Sequence, residues 1–307
     1  MAWLWKICRR QLNPFFQYYP DIMKLTLGFS PCPNDTFIFD AMVHYKTATE
    51  GIEFEYILAD VEELNRKAFK GELDITKLSC FAYAYASARY LIMDSGSALG
   101  RGNGPLLISK YKMETDDLKF ARIAIPGKYT TANMLLGIAW PEAQNKKEYL
   151  FSEIENAVLN EEVDAGLIIH ESRFTYQEKG LSMLADMGAI WEKLSGVPVP
   201  LGTIAINRRI PLGTALKVNR ILGKSVEFAL NNPLSSLDFV SENAKELGRE
   251  VINKHIDLFV NDYTRKLGKE GRNAITELYR LAGERDIIPA MPERIFLTNG
   301  QQVSDHS

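Results

Sequence analysis

Along the first third of the chain, short runs of alternating apolar and polar residues are separated by stretches with helical period. This pattern predicts strands joined through helices. The expected strands are 25–29, 52–58, 73–79 and 90–93, and the expected helices are 36–43, 61–69 and 80–88. Asn34 or Asp35 is the expected cap of the first helix, and Gly71 the expected stop of the second. Residues 106–110 read as a further strand at a crossing point. The pattern then repeats, with strands at 121–126, 146–151, 163–169 and 181–187 and helices at 132–140 and 152–159. Residues 198–206 return toward the first half. After Pro211 only helical patterns remain, at 216–230, 235–245, 249–260 and 267–281.

Strands alternating with helices imply parallel sheets covered by helices. One arrangement satisfies the order of the segments: two α/β lobes, joined by crossovers near 106–120 and 196–208. Residues 23–110 together with 206–295 form the larger, discontinuous lobe. Residues 115–203 form the smaller one. The loops at the carboxyl ends of strands from both lobes then face one cleft, the usual place for a ligand in such folds.

Composition narrows the function. The chain has 307 residues, with 46% hydrophobic and 24% charged, an ordinary globular balance. Its 36 basic and 39 acidic side chains leave a net charge of −3, so no positive field recommends a nucleic-acid or membrane partner. Cys8, Cys32 and Cys80 are too far apart in sequence for a disulfide framework or a metal-binding pair, which favours a reducing, cytoplasmic setting. No stretch has the ~18 apolar residues of a membrane helix. Residues 1–22 are rich in aromatics. Lys6 and the Arg9-Arg10 pair interrupt the apolar run that a secretory leader needs. They read as an extension outside the fold.

Candidate chemistry concentrates at strand ends. The apolar run Leu167-Ile168-Ile169 stops abruptly at His170-Glu171-Ser172-Arg173. His170 is either a group of the cleft or a structural cap of its strand. Ser30-Pro31-Cys32-Pro33-Asn34-Asp35 joins a strand to a helix, and Gly127-Lys128-Tyr129-Thr130-Thr131 repeats that logic. A strand, a tight loop and a helix start aim unpaired N–H groups at one point, which suits an anion or a polar oxygen. By the same strand-end geometry Asn34, Asp35 and Arg173 are secondary candidates. The glycine-rich 96–105 segment permits close backbone approach but is not a phosphate-binding Walker loop.

Several of these stretches resemble one known family. Ser30 to Phe39, Thr76-Lys77-Leu78-Ser79, Ala98-Leu99-Gly100-Arg101-Gly102 and Gly166 to Tyr176 are similar to 1,4-dihydroxy-6-naphthoate synthase of the futalosine route to menaquinone. The resemblance covers roughly 23–295 and leaves 1–22 and a tail, 296–307, outside it. It implies a type II periplasmic-binding-protein fold and a lyase. That lyase converts cyclic dehypoxanthine futalosine to the dihydroxynaphthoate by carbon–carbon cleavage, with no cofactor or metal. It further implies His170 as the catalytic base, with Lys77, Leu78, Ser79, Thr130 and Thr131 as substrate-binding residues. The sister chorismate dehydratase and a transporter's solute-binding protein share the fold. The His170–Tyr176 stretch speaks against the first, and a histidine in the cleft against the second.

Overall fold

The computed structural model describes residues 22–245 and 247–299. Almost all of the expected 1–22 extension, and the end of the expected tail, therefore lie outside the described residues. The first elements are β1 (Met23–Phe29), α1 (Pro33–Val43), β2 (Ile52–Leu58), α2 (Val61–Lys70), β3 (Ile75–Ser79), α3 (Cys80–Ala86), β4 (Tyr90–Ile92) and β5 (Ala98–Gly100). Next come β6 (Leu106–Ser109), β7 (Ile123–Ile125), α4 (Thr131–Ala139), β8 (Lys146–Glu148), α5 (Ile154–Leu159), β9 (Ala165–Ile168) and α6 (Ser172–Thr175). After them come β10 (Ser182–Asp186), α7 (Met187–Ser195) and β11 (Val199–Asn207). Helices follow: α8 (Leu212–Asn231), α9 (Leu237–Asn243), α10 (Arg249–Phe259), α11 (Asp262–Arg265) and α12 (Gly268–Glu284).

The strands form two separate sheets. One runs β2-β1-β3-β11-β4, with β5 also paired to β11; the other runs β10-β6-β9-β7-β8. β1 is parallel to β2 and β3, and β7 is parallel to β8 and β9. β11 is antiparallel to its partners in the first sheet, and β6 to its partners in the second. These two antiparallel strands are the ones that cross over. Two sequence expectations are corrected here. Residues 106–110, expected in the first lobe, pair in the second sheet. Residues 199–203, expected in the second lobe, begin β11 in the first sheet. β6 is buried along its whole length, so its sequence carries no polar face to say which sheet it joins.

Local chemistry explains most elements. Asp60 caps α2 by accepting from the Glu62 N–H at 2.8 Å, and Gly71 ends it in the left-handed conformation, φ 72°. In α12 the buried side chains Ala274, Ile275, Leu278 and Ala282 recur at helical spacing and turn one stripe inward. α1 is buried on every side, lying under α8, α9 and α10. Its cap differs from expectation. The helix starts at Pro33 after Cys32, and no side chain caps it. Pro33 needs no donor partner at that position, and the Asp35 carboxylate is engaged elsewhere. The chain also stays on the fold past 295, where the tail was expected to begin. Leu297 is buried and its N–H donates to Ile92 O at 2.8 Å.

One hydrophobic cluster spans both sheets, joining Leu78, Tyr90 and Ala205 of the first to Ile123, Ile125 and Leu167 of the second through α3, α4 and α12. Separate clusters fill the outer faces, under α1 and α8 on one sheet and under α5 on the other. Where the chain leaves β5 for β6 it passes the start of α7 backbone to backbone. A Cβ built on Gly104 falls 2.3 Å from Gly188 N. Gly104→Ala must therefore push the crossover away from α7 and is expected to cost about 1–3 kcal/mol. Gly213→Ala, where a Cβ meets open space, serves as the control in the same thermal melt. Equal melting temperatures for the two variants would contradict the tight crossing.

Candidate active site

A cleft of about 750 Å³, counting volume open to solvent, lies where strand-end loops of both sheets meet. From the first sheet's side come Ser30 of the β1–α1 turn, Asn34 and Asp35 in the first turn of α1, and Lys77 and Ser79 at the end of β3. Thr130 and Thr131 at the start of α4, and His170 and Arg173 after β9, face them from the second sheet. Leu78 alone among the expected site residues keeps its side chain out of the cleft. Successive strand residues point to opposite faces, so Lys77 and Ser79 reach the cleft while Leu78 is fully buried in the core.

The Asp35 carboxylate organises the first wall. Its Oδ1 accepts from Lys77 Nζ at 2.5 Å and Asn34 Nδ2 at 2.8 Å. Its Oδ2 accepts from the Ser30 hydroxyl at 2.8 Å and the Ser30 N–H at 3.2 Å. Asp35 and Lys77 are both buried, so each charge is stabilised by the other and by hydrogen bonds rather than by water. Behind them, Asn65 spans the Ser79 N–H and hydroxyl.

On the opposite wall, Thr130 caps α4: its hydroxyl donates to Gly127 O at 2.8 Å and accepts from the Asn133 N–H at 3.4 Å. The Thr131 hydroxyl donates to Leu201 O at 2.5 Å. Both hydroxyls are thus engaged, and the amides of Thr131 and Ala132, ahead of the first intrahelical bond, are what α4 offers a ligand. Arg173 is pinned, its guanidinium donating to Gly104 O and lying 3.5 Å from Asp186 Oδ2. At the rim, the Tyr129 N–H donates to Glu62 Oε2 at 3.3 Å, and its ring packs 4.8 Å from Phe69 and 5.1 Å from Tyr85. This contact ties the second sheet's loop to the first sheet's helices. Burial pushes the Glu62 carboxyl above its usual range.

His170 stands in the left-handed region, φ 56°. Few residues other than glycine adopt it, and histidine is among the more tolerant. Such strain collects at sites where a side chain must be aimed. The imidazole is half-buried on the cleft wall, with Cys32 Sγ 3.5 Å from Nδ1 and the Phe151 ring 5.1 Å away. Burial is the largest influence on it and holds its pKa below 6.5, against the opposing pull of Glu171, Asp35 and Asp60. Burial drives the Cys32 thiol far upward, so it stays a neutral S–H.

Two polar side chains of the cleft escaped the sequence reading. His255, on α10, is fully buried, with its ring parallel to that of His170 at 6.0 Å. The signal for its burial was present: Ile252, His255, Ile256 and Phe259 share one helical stripe. Nothing local marked it as facing His170. Asn103, in the glycine-rich crossover, is 1% exposed and also lines the cleft.

A family profile described as Menaquinone biosynthesis matches residues 25–284. The chain belongs to the menaquinone biosynthesis family. A relative from Thermus thermophilus described as 1,4-dihydroxy-6-naphthoate synthase is 42% identical over 273 residues, covering 89% of this chain and 99% of the relative. One from Streptomyces coelicolor with the same description is 38% identical over 274 residues, covering 87% and 95%. A crystal structure of an Archaeoglobus fulgidus protein superimposes with a TM-score of 0.82 at 37% identity, covering 86% of this chain and 98% of that one. The alkanesulfonate-binding protein of Xanthomonas axonopodis pv. citri matches with a TM-score of 0.68 at 15% identity, over 89% and 96%. That last likeness is one of fold, and this menaquinone-family chain has the two-lobe periplasmic-binding-protein-like architecture. No described helix of the family member is long and apolar enough to cross a membrane.

Two predictions follow from the electrostatics. Lys77→Met leaves the Asp35 carboxylate buried without its counter-charge and should cost roughly 3–5 kcal/mol. Adding Asp35→Asn to it should restore part of the loss, as read from urea midpoints. The second prediction concerns pH. His170 and His255 are both held below 6.5 by burial. Below about 6.5 their unfolded counterparts take up protons while the native ones resist. The unfolded state then binds more protons, so stability falls as pH is lowered through that range. His255→Gln, which keeps an N–H for Asn34 but does not titrate, should flatten this dependence. An unchanged slope would show that His255 is not held neutral.

Proposed function

We propose that this chain is a 1,4-dihydroxy-6-naphthoate synthase, a carbon–carbon lyase acting on cyclic dehypoxanthine futalosine in the cytoplasm, with His170 as general base. The observation carrying this reading is the imidazole of His170: aimed into the cleft by a left-handed backbone and depressed in pKa. A neutral imidazole at physiological pH can accept a proton. The names of the Thermus and Streptomyces relatives support the same reaction.

In the proposed step, His170 takes the proton of a substrate hydroxyl. The resulting oxyanion collapses to a carbonyl as the adjacent carbon–carbon bond breaks. The bonding pair passes to the ring-bearing fragment as an enolate, whose aromatisation drives the cleavage. Lys77 and the Ser79 hydroxyl on one wall, and the α4 amides beside Thr130 and Thr131 on the other, hold the polar ends of the substrate. Asn34 and Asp35 act by positioning Lys77, and Arg173 by bracing the crossover at Gly104.

Incubation with enzymatically prepared cyclic dehypoxanthine futalosine should yield the dihydroxynaphthoate, identified by mass. His170→Asn tolerates the left-handed backbone and keeps a polar side chain but cannot act as the base. It should keep its melting temperature and lose roughly two to four orders of magnitude in turnover. A stable variant with near-normal turnover would remove His170 from the reaction. For the wild-type enzyme, the acid limb of the rate profile should lie below the ordinary histidine value of about 6.5, because the free base persists to lower pH.

A further inference from the structure

Buried polar atoms in native proteins almost always find partners. Among the described residues, the buried side-chain atoms of the cleft wall that lack one belong to two residues: Asn103, at both Nδ2 and Oδ1, and His255, at Nδ1. Both residues line the cleft. α10, which carries His255, packs on β5, and Asn103 lies three residues beyond the end of β5.

The state of His255 can be read from its neighbours. Asp35 is held as an acceptor by Lys77 and Ser30, so the Asn34 group facing it must be the amide NH₂. That orientation turns Asn34 Oδ1 toward His255, whose Nε2 lies 3.0 Å away and must therefore donate. In a neutral imidazole with Nε2 protonated, Nδ1 is a bare lone pair. Burial, with His170 and Lys77 nearby, keeps the ring neutral. The Lys77–Asp35–Asn34 chain thus selects one tautomer of His255 and leaves its Nδ1 as an acceptor without a donor.

Asn103 offers the complementary pair. The missing side chain at Gly100 makes room for its amide, since a Cβ there would fall 2.6 Å from Asn103 Nδ2. The wall therefore presents two acceptors, His255 Nδ1 and Asn103 Oδ1, and one donor, Asn103 Nδ2. A carboxylate supplies no donor and is disfavoured there. A neutral portion bearing hydroxyl groups, each able to donate and accept, suits all three.

We propose that Asn103 and His255 form a hydroxyl-binding subsite that receives the sugar-derived, hydroxylated portion of the substrate. This rests on the function proposed above for the identity of the ligand, and on the orphaned atoms alone for the existence of the subsite.

The test has a ligand-free arm and a substrate arm. Asn103→Leu is nearly isosteric and removes both unpaired atoms, so the free protein should melt at the same temperature as wild type or higher. Its KM for cyclic dehypoxanthine futalosine should rise about tenfold or more, the worth of one well-made hydrogen bond, with a smaller change in kcat. Nitrogen NMR of ¹⁵N-histidine protein should show His255 with Nε2 protonated and Nδ1 bare. Adding cyclic dehypoxanthine futalosine to the His170→Asn variant should shift the Nδ1 resonance. A lowered melting temperature for Asn103→Leu, a protonated Nδ1 in the free protein, or an unchanged KM would each overturn the subsite. If wild-type protein shows no turnover while the ligand-free results hold, the activity assignment fails and the subsite stands for a different hydroxylated ligand.

Discussion

The buried pair of Asp35 and Lys77 is the constraint on which the site depends. A carboxylate with no exposed surface is unstable as an ion unless the fold surrounds it with donors. Here the fold supplies four hydrogen bonds from three residues, drawn from the β1–α1 turn, the start of α1 and the end of β3. Satisfying this one charge locks the turn to the neighbouring strand end. It also orients Asn34, and through Asn34 sets the proton position on His255. The network is thus a device for transmitting orientation: a single ionised group determines the hydrogen-bonding character of an imidazole on another helix.

The second wall is held by different means. His170 is aimed by backbone strain rather than by a charged partner, since no carboxylate hydrogen-bonds its ring among the described residues. An imidazole without an ionic partner, in a water-poor setting, is left neutral, which is the state a base requires. The two walls are joined by the crossovers that enter β6 and β11, each of which runs antiparallel inside a sheet of otherwise parallel pairing. The Tyr129 contact with Glu62, Phe69 and Tyr85 adds a tie at the rim. The one continuous hydrophobic cluster below the cleft gives these loops a common foundation. The cleft is polar where the strand ends converge and apolar beneath, so a ligand can be oriented by a few hydrogen bonds while water is excluded.

Local pattern determined most of the elements, because a strand or an amphipathic helix must repeat its apolar positions at its own period wherever it packs; the short β5 and the helix α7 were not read from it. Thr26 and Phe54, on alternating runs, and the stop of α2 at Gly71 were legible for that reason, while its Asp60 cap was seen only in the structure. So was the abrupt end of the Leu167–Ile169 run at His170, and with it the family resemblance. Tertiary structure decided what depends on a distant partner. It assigned β6 to the second sheet, because a strand buried on both faces fits either sheet until its neighbours are in place. It turned Lys77 into the cleft and Leu78 away, a choice that alternation leaves open until one face is covered. It also left Asp35 out of helix capping, since a buried lysine from β3 is the stronger partner. Finally, it set His255 parallel to His170 and left Asn103 without a partner. Neither follows from any local spacing, because both are relations between segments that meet only when the two sheets close on each other.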